Sequence, residues 1–533
     1  MSGDLVLVGG RIYTFDPAQP FVSAMVVHDA KVVYAGDDAG ARMCAGSGAE
    51  TVDLRGYCVI PGLTDAHMHL RLYAESLATV DVETPTLQEA LARVGERTRW
   101  VPKGGWVLGH GWNHNVWGQE LGADTLPTAA HLDQVAPDHP VCLETKSCHA
   151  VWVNSAALAA AGITAATPDP DGGKIVRDGA GQPTGILLEG AMSLIKDVIP
   201  EPSLEELAAA MRQALLLANR AGLTGLHDMD GPLAFQAEQV LRDQGELTLR
   251  IVKSIPLDCL DEAIGLGLRS GFGDDWLRVG QVKLFADGAL GPQTAWMLTG
   301  YETDPANTGI STTPVEVLRA AVGKANAAGL GCAIHAIGDR ACREVLDIYA
   351  ECRPQYPAIR NRIEHVQLLH PEDAGRLAQL GVIASMQPIH ATSDMHIADR
   401  YWGKRSAGAY ALKTQLAHGA VLALGSDCPV EALDPLVGLH AAVTRRRADG
   451  SPGPEGWYPE QRLTVEEAVR GFTWGPAYAS GMENRLGALQ AGKLADMTLL
   501  DQDIFTIDPM DILHTRVMGT IVGGRFVWRA DEL

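Results

Sequence analysis

The middle of the chain repeats one local pattern: an amphipathic helix ends at a glycine, and a short apolar strand follows that stops on polar residues. Ser203-Leu-Glu-Glu206 opens the first such helix as a capping box, Gly222 closes it, and Leu223-Thr-Gly-Leu226 leads to His227-Asp228. The next unit runs from Thr313-Pro-Val-Glu316 to Gly329, then through Leu330-Gly-Cys-Ala-Ile334 to His335. A third ends near Gly381 and leads to Gln387, and a fourth ends at Gly419 and leads to Gly-Ser-Asp427. Strands that are apolar almost throughout are buried on both faces, so their alternation with helices predicts a parallel sheet covered on each side.

Eight candidate strands, 58–64, 141–147, 223–228, 279–285, 331–336, 361–366, 382–387 and 421–426, predict an α/β fold with a (β/α)8 barrel over residues 58–480. Insertions are expected near 75–140 and 155–200. A doubly wound open sheet is the alternative, but no GxGxxG phosphate loop follows any of these strands. The ends read differently. Residues 1–57 and 481–533 carry short alternating strands between Gly and Asp turns, which predicts one discontinuous β-sandwich built from both termini.

Composition narrows the function. The 533 residues hold 43 Lys+Arg against 65 Asp+Glu, a net charge of −22 that repels phosphate backbones and argues against nucleic-acid binding. No apolar stretch approaches the roughly 20 residues that span a bilayer. The opening residues, Met1 to Gly10, lack the basic start and apolar core of a secretory leader. Nine cysteines, an odd number without a CxxC pair, read as free thiols in a reducing compartment, so a cytoplasmic location is expected. The partner expected is a small-molecule substrate, and a homodimer is left open.

In a parallel barrel, polar residues at the C-terminal strand ends converge on one mouth. His67-Met-His69 ends the first strand, and alternation puts both rings on one side, about 7 Å apart at the backbone, where they can reach one cation. His335, His365 and Asp427 end three further strands and complete a candidate ligand set. Lys283 ends the fourth among apolar neighbours. A buried ammonium is costly and is repelled by a dication. Either Lys283 pairs with Asp287 or Glu189, or its depressed pKa lets it add CO2 as a carbamate that bridges two metals. His149, His227, Gln387 and His390 sit at or near strand ends and are expected to touch substrate. The aromatic-rich 100–120 segment either roofs the pocket or packs an insertion.

These residues resemble the amidohydrolase superfamily, within it the amidohydrolase-3 (YtcJ-like) group that includes N-substituted formamide deformylases. The motifs are Pro-Gly-Leu-Thr-Asp-Ala-His-Met-His (61–69), Val-Trp-Val-Asn-Ser-Ala-Ala-Leu (151–158), Val-Lys-Leu-Phe-Ala-Asp-Gly-Ala-Leu-Gly (282–291), His-Ala-Ile-Gly-Asp-Arg-Ala (335–341), Arg-Ile-Glu-His-Val-Gln (362–367) and Gly-Ser-Asp-Cys-Pro-Val-Glu (425–431). The resemblance spans nearly the whole chain. It implies a distorted TIM barrel with a β-sandwich, one or two metals, usually zinc, and hydrolysis of C–N or related bonds. It also favours the Lys283 carbamate. Pro292-Gln293 stand where the group usually has Ser-Arg, Cys148 where Gly is common and Leu412 where an aromatic is frequent. All three fall in expected substrate-facing loops, and Gln293 is counted with the substrate contacts. Asp427 is expected to take the proton of the attacking water and pass it to the leaving nitrogen, with Asp339 and Glu364 as expected partners of the histidines. The same site run in reverse would be a cyclase that closes a heterocycle. A phosphoester hydrolase and a metal-free scaffold are the remaining rivals.

Overall fold

The computed structural model describes residues 5–122 and 125–533, so Met1–Asp4, the start of the leader reading, lie outside the described residues. Its centre is an eight-stranded, all-parallel sheet whose strands follow chain order: Leu63–Met68, Leu223–Asp228, Arg250–Pro256, Leu277–Phe285, Cys332–Ala336, Arg362–His365, Ile383–Met386 and Leu422–Leu424. The sheet curls until its last strand meets its first. Asp427 N donates to His67 O at 2.7 Å, His69 N donates to Cys428 O at 2.9 Å, and Ser426 N donates to both Asp65 carboxylate oxygens. The mixed α/β barrel expected from the pattern is present. The helix Leu204–Arg220 starts on the Ser203–Glu206 capping box, and left-handed Gly222 (φ 94°) turns the chain back into the second strand.

Two strand assignments change. Residues 58–64 split: Cys58–Pro61 pairs with Arg11–Tyr13 and Met497–Leu500 in a flanking sheet, and only from Leu63 does the chain join the barrel. Residues 141–147 are not a barrel strand. Val141–Thr145 lies in a separate six-stranded sheet with Val80–Asp81, Val107–Trp112, Ala150–Val153, Gly173–Arg177 and Pro183–Glu189. The insertions expected near 75–140 and 155–200 are therefore one continuous layer between the first and second barrel strands. Its own apolar core, around Trp112, Trp117 and Trp152, makes Val141–Thr145 as apolar as a barrel strand. The barrel's third strand is Arg250–Pro256, whose charges hid it: Lys253 is buried against Asp228, and Arg250 against Asp496.

Both chain ends build flanking sheets. A four-stranded sheet (Leu5–Val8, Ala24–His28, Lys31–Gly36, Glu50–Asp53) faces a six-stranded sheet that adds Val517–Val522 and Arg525–Arg529, and the two share a core that includes Leu7, Val27, Val59, Met497 and Ile521. No helix among the described residues is long and apolar enough to cross a membrane. All nine cysteines are unpaired.

A buried ion pair fastens the C-terminal sheet to the barrel. Arg250 Nε and Nη2 donate to Asp496 at 2.5 and 2.8 Å, and Gly523 N donates to the same carboxylate. Removing one partner leaves an uncompensated buried charge, so Asp496→Ala is expected to destabilise the protein by about 3–5 kcal/mol. A denaturant midpoint unchanged from the parent would contradict this.

Candidate metal centre

Five barrel strands deliver one polar set to the mouth. His67 lies near the end of the first, with His69 just beyond; Lys283 is on the fourth, His335 on the fifth, His365 on the sixth, and Asp427 follows the eighth. They converge on Asp427. Its Oδ1 is 3.4 Å from Nε2 of His67 and 3.5 Å from Nε2 of His69, while Oδ2 is 3.2 Å from Nε2 of His390 and 3.9 Å from Nδ1 of His365. His67, His365 and Asp427 are all buried and offer ligand atoms within 4.8 Å of one another, close enough to share a cation. The His335 ring lies 4.5 Å from that of His365, centre to centre, and Lys283 Nζ is 3.4 Å from His67 Nε2.

His67 and His69 are held from behind, and His365 is held at the nitrogen nearer Asp427. His67 Nδ1 meets Glu364 Oε2 at 2.5 Å, His69 Nδ1 meets Asp230 Oδ1 at 2.9 Å, and His365 Nδ1 meets Gln387 Oε1 at 2.9 Å. In His67 and His69 an N–H donated to the carboxylate turns Nε2 toward Asp427, the arrangement that orients metal-binding histidines, whereas His335 donates its Nε2–H to Gly288 O at 3.0 Å. Burial, helped by Lys283, pushes His67 down to about 4. Burial and a neighbouring imidazole also push His335 and His365 well below the usual range, so all three rings are neutral. His69 goes the other way. Despite burial, Asp230 and Asp427 hold it up at about 10, so a metal taking its Nε2 must displace a proton.

Lys283 has neither expected carboxylate. Asp287 accepts backbone N–H groups from Trp296, Ile337 and Gly338, and Glu189 bonds His149 and Thr294. Burial, opposed by Glu364 and Asp427, brings Lys283 down to about 8. Of the expected substrate contacts, His149, His390 and Gln293 line a cavity of about 640 Å³ that also exposes His335, His365 and Asp427. Two others do not. Strand alternation turns His227 into the barrel interior, where its Nδ1 accepts from Arg362 at 2.8 Å, and Gln387 is taken up in holding His365. Asp339 accepts Leu298 N at 2.8 Å and touches no histidine. In the 100–120 segment, Trp112, Asn113, His114 and Asn115 line the cavity, while Trp117 packs in the insertion's core and Trp100 is exposed. The sequence reading missed Asp230, Arg362 and Glu431. Arg362 and Glu431 stand inside the 362–367 and 425–431 motifs with no role given to them there, and Asp230 lies two residues past the strand that ends in His227-Asp228.

Residues 50–528 match the family model described as the amidohydrolase family. The chain belongs to that family. It is 34% identical to YtcJ of Bacillus subtilis across 98% of both proteins, and 29% identical to the N-substituted formamide deformylase of Arthrobacter pascens across 98% of this chain and 97% of that one. The crystal structure of an uncharacterized metal-dependent hydrolase from Pyrococcus horikoshii superposes with a TM-score of 0.78 at 29% identity, covering 95% of this chain and 99% of that one.

The backbone of this amidohydrolase is strained at two of the candidate ligands. His365 (φ 75°) and Asp427 (φ 64°) are left-handed without being glycine, which costs of order 1–3 kcal/mol each and persists only when the surroundings enforce it. Gly425 shows that enforcement: a Cβ there would lie 2.4 Å from Asp65 Oδ1 and 2.6 Å from His67 N. Glu364→Gln removes the charge behind His67 and is expected to weaken divalent-metal affinity by about 10–100-fold. Competition with a chelator measures it, and an unchanged affinity would show that Glu364 does not orient His67.

Proposed function

We propose that this amidohydrolase hydrolyses the C–N bond of a small amide, formamide or cyclic amide, with one or two zinc ions held by His67, His69, His335, His365, Asp427 and a carbamate on Lys283. One observation carries the reading: His67 and His69 are each fixed at Nδ1 by a carboxylate and turn Nε2 to Asp427, and His365 offers a further ligand nitrogen beside the same carboxylate. Neutral imidazoles and a carboxylate are a zinc donor set. The relatives named as a formamide deformylase and a metal-dependent hydrolase support it. The cavity has the size of a small molecule rather than a polymer. A cytoplasmic setting fits the unpaired cysteines.

When bound, the metal supplies Lewis acidity, acidifying water and polarising the scissile carbonyl. The protein supplies the rest. Lys283, brought by burial toward the neutral amine, adds CO2 through a new Nζ–C bond and releases a proton. Asp427 is held well below the carboxylate range despite its burial, by His67 and by hydrogen bonds from His390 and His69. It is therefore an anion, placed to take the proton of the attacking water and return it to the leaving nitrogen. His149, with Nδ1 on Glu189 at 2.7 Å, turns its other nitrogen to the cavity as a substrate contact.

Elemental analysis of protein purified without chelator is expected to find about two zinc ions per chain, falling to about one in Lys283→Ala. One metal in both would remove the bridging carbamate. None, with zinc addition failing to restore any, would overturn the hydrolase reading. Asp427→Asn is expected to lower kcat by about 10²–10⁴-fold on whatever amide the parent cleaves. A variant retaining most of the turnover would mean that another group moves the proton.

A further inference from the structure

The cavity has an outer end that the chemistry above does not use. Between the helix Pro388–Trp402, which carries His390, and the helix Pro435–Thr444, the wall is apolar at Ile389, Ile397, Val437 and Ala441. It then meets Arg446 and Arg447, just past the end of the second helix. Both guanidiniums are anchored on neutral groups. Arg447 Nε donates to Thr392 O at 2.8 Å and Nη2 to Ser393 O at 2.9 Å, leaving Nη1 over; Arg446 Nε donates to Gly450 O at 3.1 Å, leaving both terminal nitrogens.

Among the described residues neither arginine has a carboxylate within 4.0 Å, in a chain where acids outnumber bases 65 to 43. Asp449, exposed on the same loop, feels the Arg447 charge without reaching it. The other charged groups on the lining are occupied. Lys146 pairs with Glu83 and Glu431, His390 lies between Glu431 and Asp427, and Asp394 accepts from Tyr410 at 2.7 Å. Arg446 and Arg447 are thus positive charge held on backbone carbonyls, with no carboxylate paired to either among the described residues. An arginine fork of this kind matches a carboxylate or phosphonate. Thr392 and Ser393 follow His390 within one helical turn, so this charge stands a small molecule's length from the reacting end.

We propose that Arg446 and Arg447 form an anion subsite, and that the substrate is an amide whose far end, beyond a short apolar segment, carries an acidic group. The inference rests on the proposed function for the amide, whereas the subsite itself is a binding property. The test therefore reads binding on the Asp427→Asn protein, where turnover does not interfere. Calorimetry compares ω-acetamido carboxylates of two to eight carbons, and the matching phosphonates, with N-alkylacetamides of equal length. At least one acid is expected to bind tenfold or more tightly than its neutral partner, by a margin that shrinks as salt is raised. Arg446→Gln/Arg447→Gln is expected to bring that acid down to the affinity of the neutral amide, and Arg446→Lys/Arg447→Lys to restore part of the margin. Unchanged melting temperatures certify the variants, and the salt dependence of the parent needs no variant. The subsite is overturned if no acid in either series gains on its neutral partner, or if the margin survives the double Gln substitution. If the metal-loaded parent cleaves neither kind of amide while the acid preference holds, the hydrolase reading fails and the subsite stands.

Discussion

One buried guanidinium ties the barrel interior to the metal centre. Arg362 is wholly buried, and its nitrogens donate to both oxygens of Glu364, to His227 Nδ1, to Ala66 O and to Ser385 Oγ. Those partners lie on or beside the first, second, sixth and seventh barrel strands, so a single planar fork cross-braces half the barrel. Among the described residues its only carboxylate is Glu364, and that carboxylate, held well below its usual range by Arg362 and His67 in spite of burial, fixes His67. Lysine could not replace it, because a point ammonium cannot serve five acceptors in one plane. The orientation of His67 is therefore set by a charge pair beneath the candidate site.

The same economy governs closure. The eighth strand meets the first through bonds made at Asp427, Cys428 and Ser426 rather than through a regular ladder. The segment that presents Asp427 is thus also the seam of the barrel. This is why Asp427 can hold a left-handed backbone: releasing it would open the sheet. Strain and closure are two sides of one construction, and both depend on the absence of a side chain at Gly425.

The parts legible in the sequence were those written in local pattern. Glycine-terminated helices and apolar strands placed the second, fifth, seventh and eighth barrel strands, and their polar ends placed His335 and Asp427. The failures have physical causes. Arg250–Pro256 was invisible to hydropathy because Lys253 and Arg250 are buried as ion pairs with Asp228 and Asp496, so its charges read as surface. Val141–Thr145 misled because it runs parallel to Val107–Trp112 over a core of its own, which gives it the composition of a barrel strand. His227 and Gln387 were placed at the mouth by position alone. Whether a strand-end residue faces substrate or braces a neighbour depends on partners such as Arg362 and His365, which lie far away in the chain.

Chemistry and selection also divide by element. The candidate ligands stand at barrel strand ends, where register leaves little freedom, whereas the cavity walls come from the insertion and from the two helices after the seventh and eighth strands. The two are joined electrostatically. From the rim inward run Glu83, Lys146, Glu431, His390 and Asp427, each paired with the next and alternating in sign. Such a chain holds Asp427 as an anion without leaving an unpaired charge along the way, and it carries one net negative charge, which a cation at the centre can meet. Selection can therefore change through wall residues while the histidines, Lys283 and Asp427 stay where the barrel puts them.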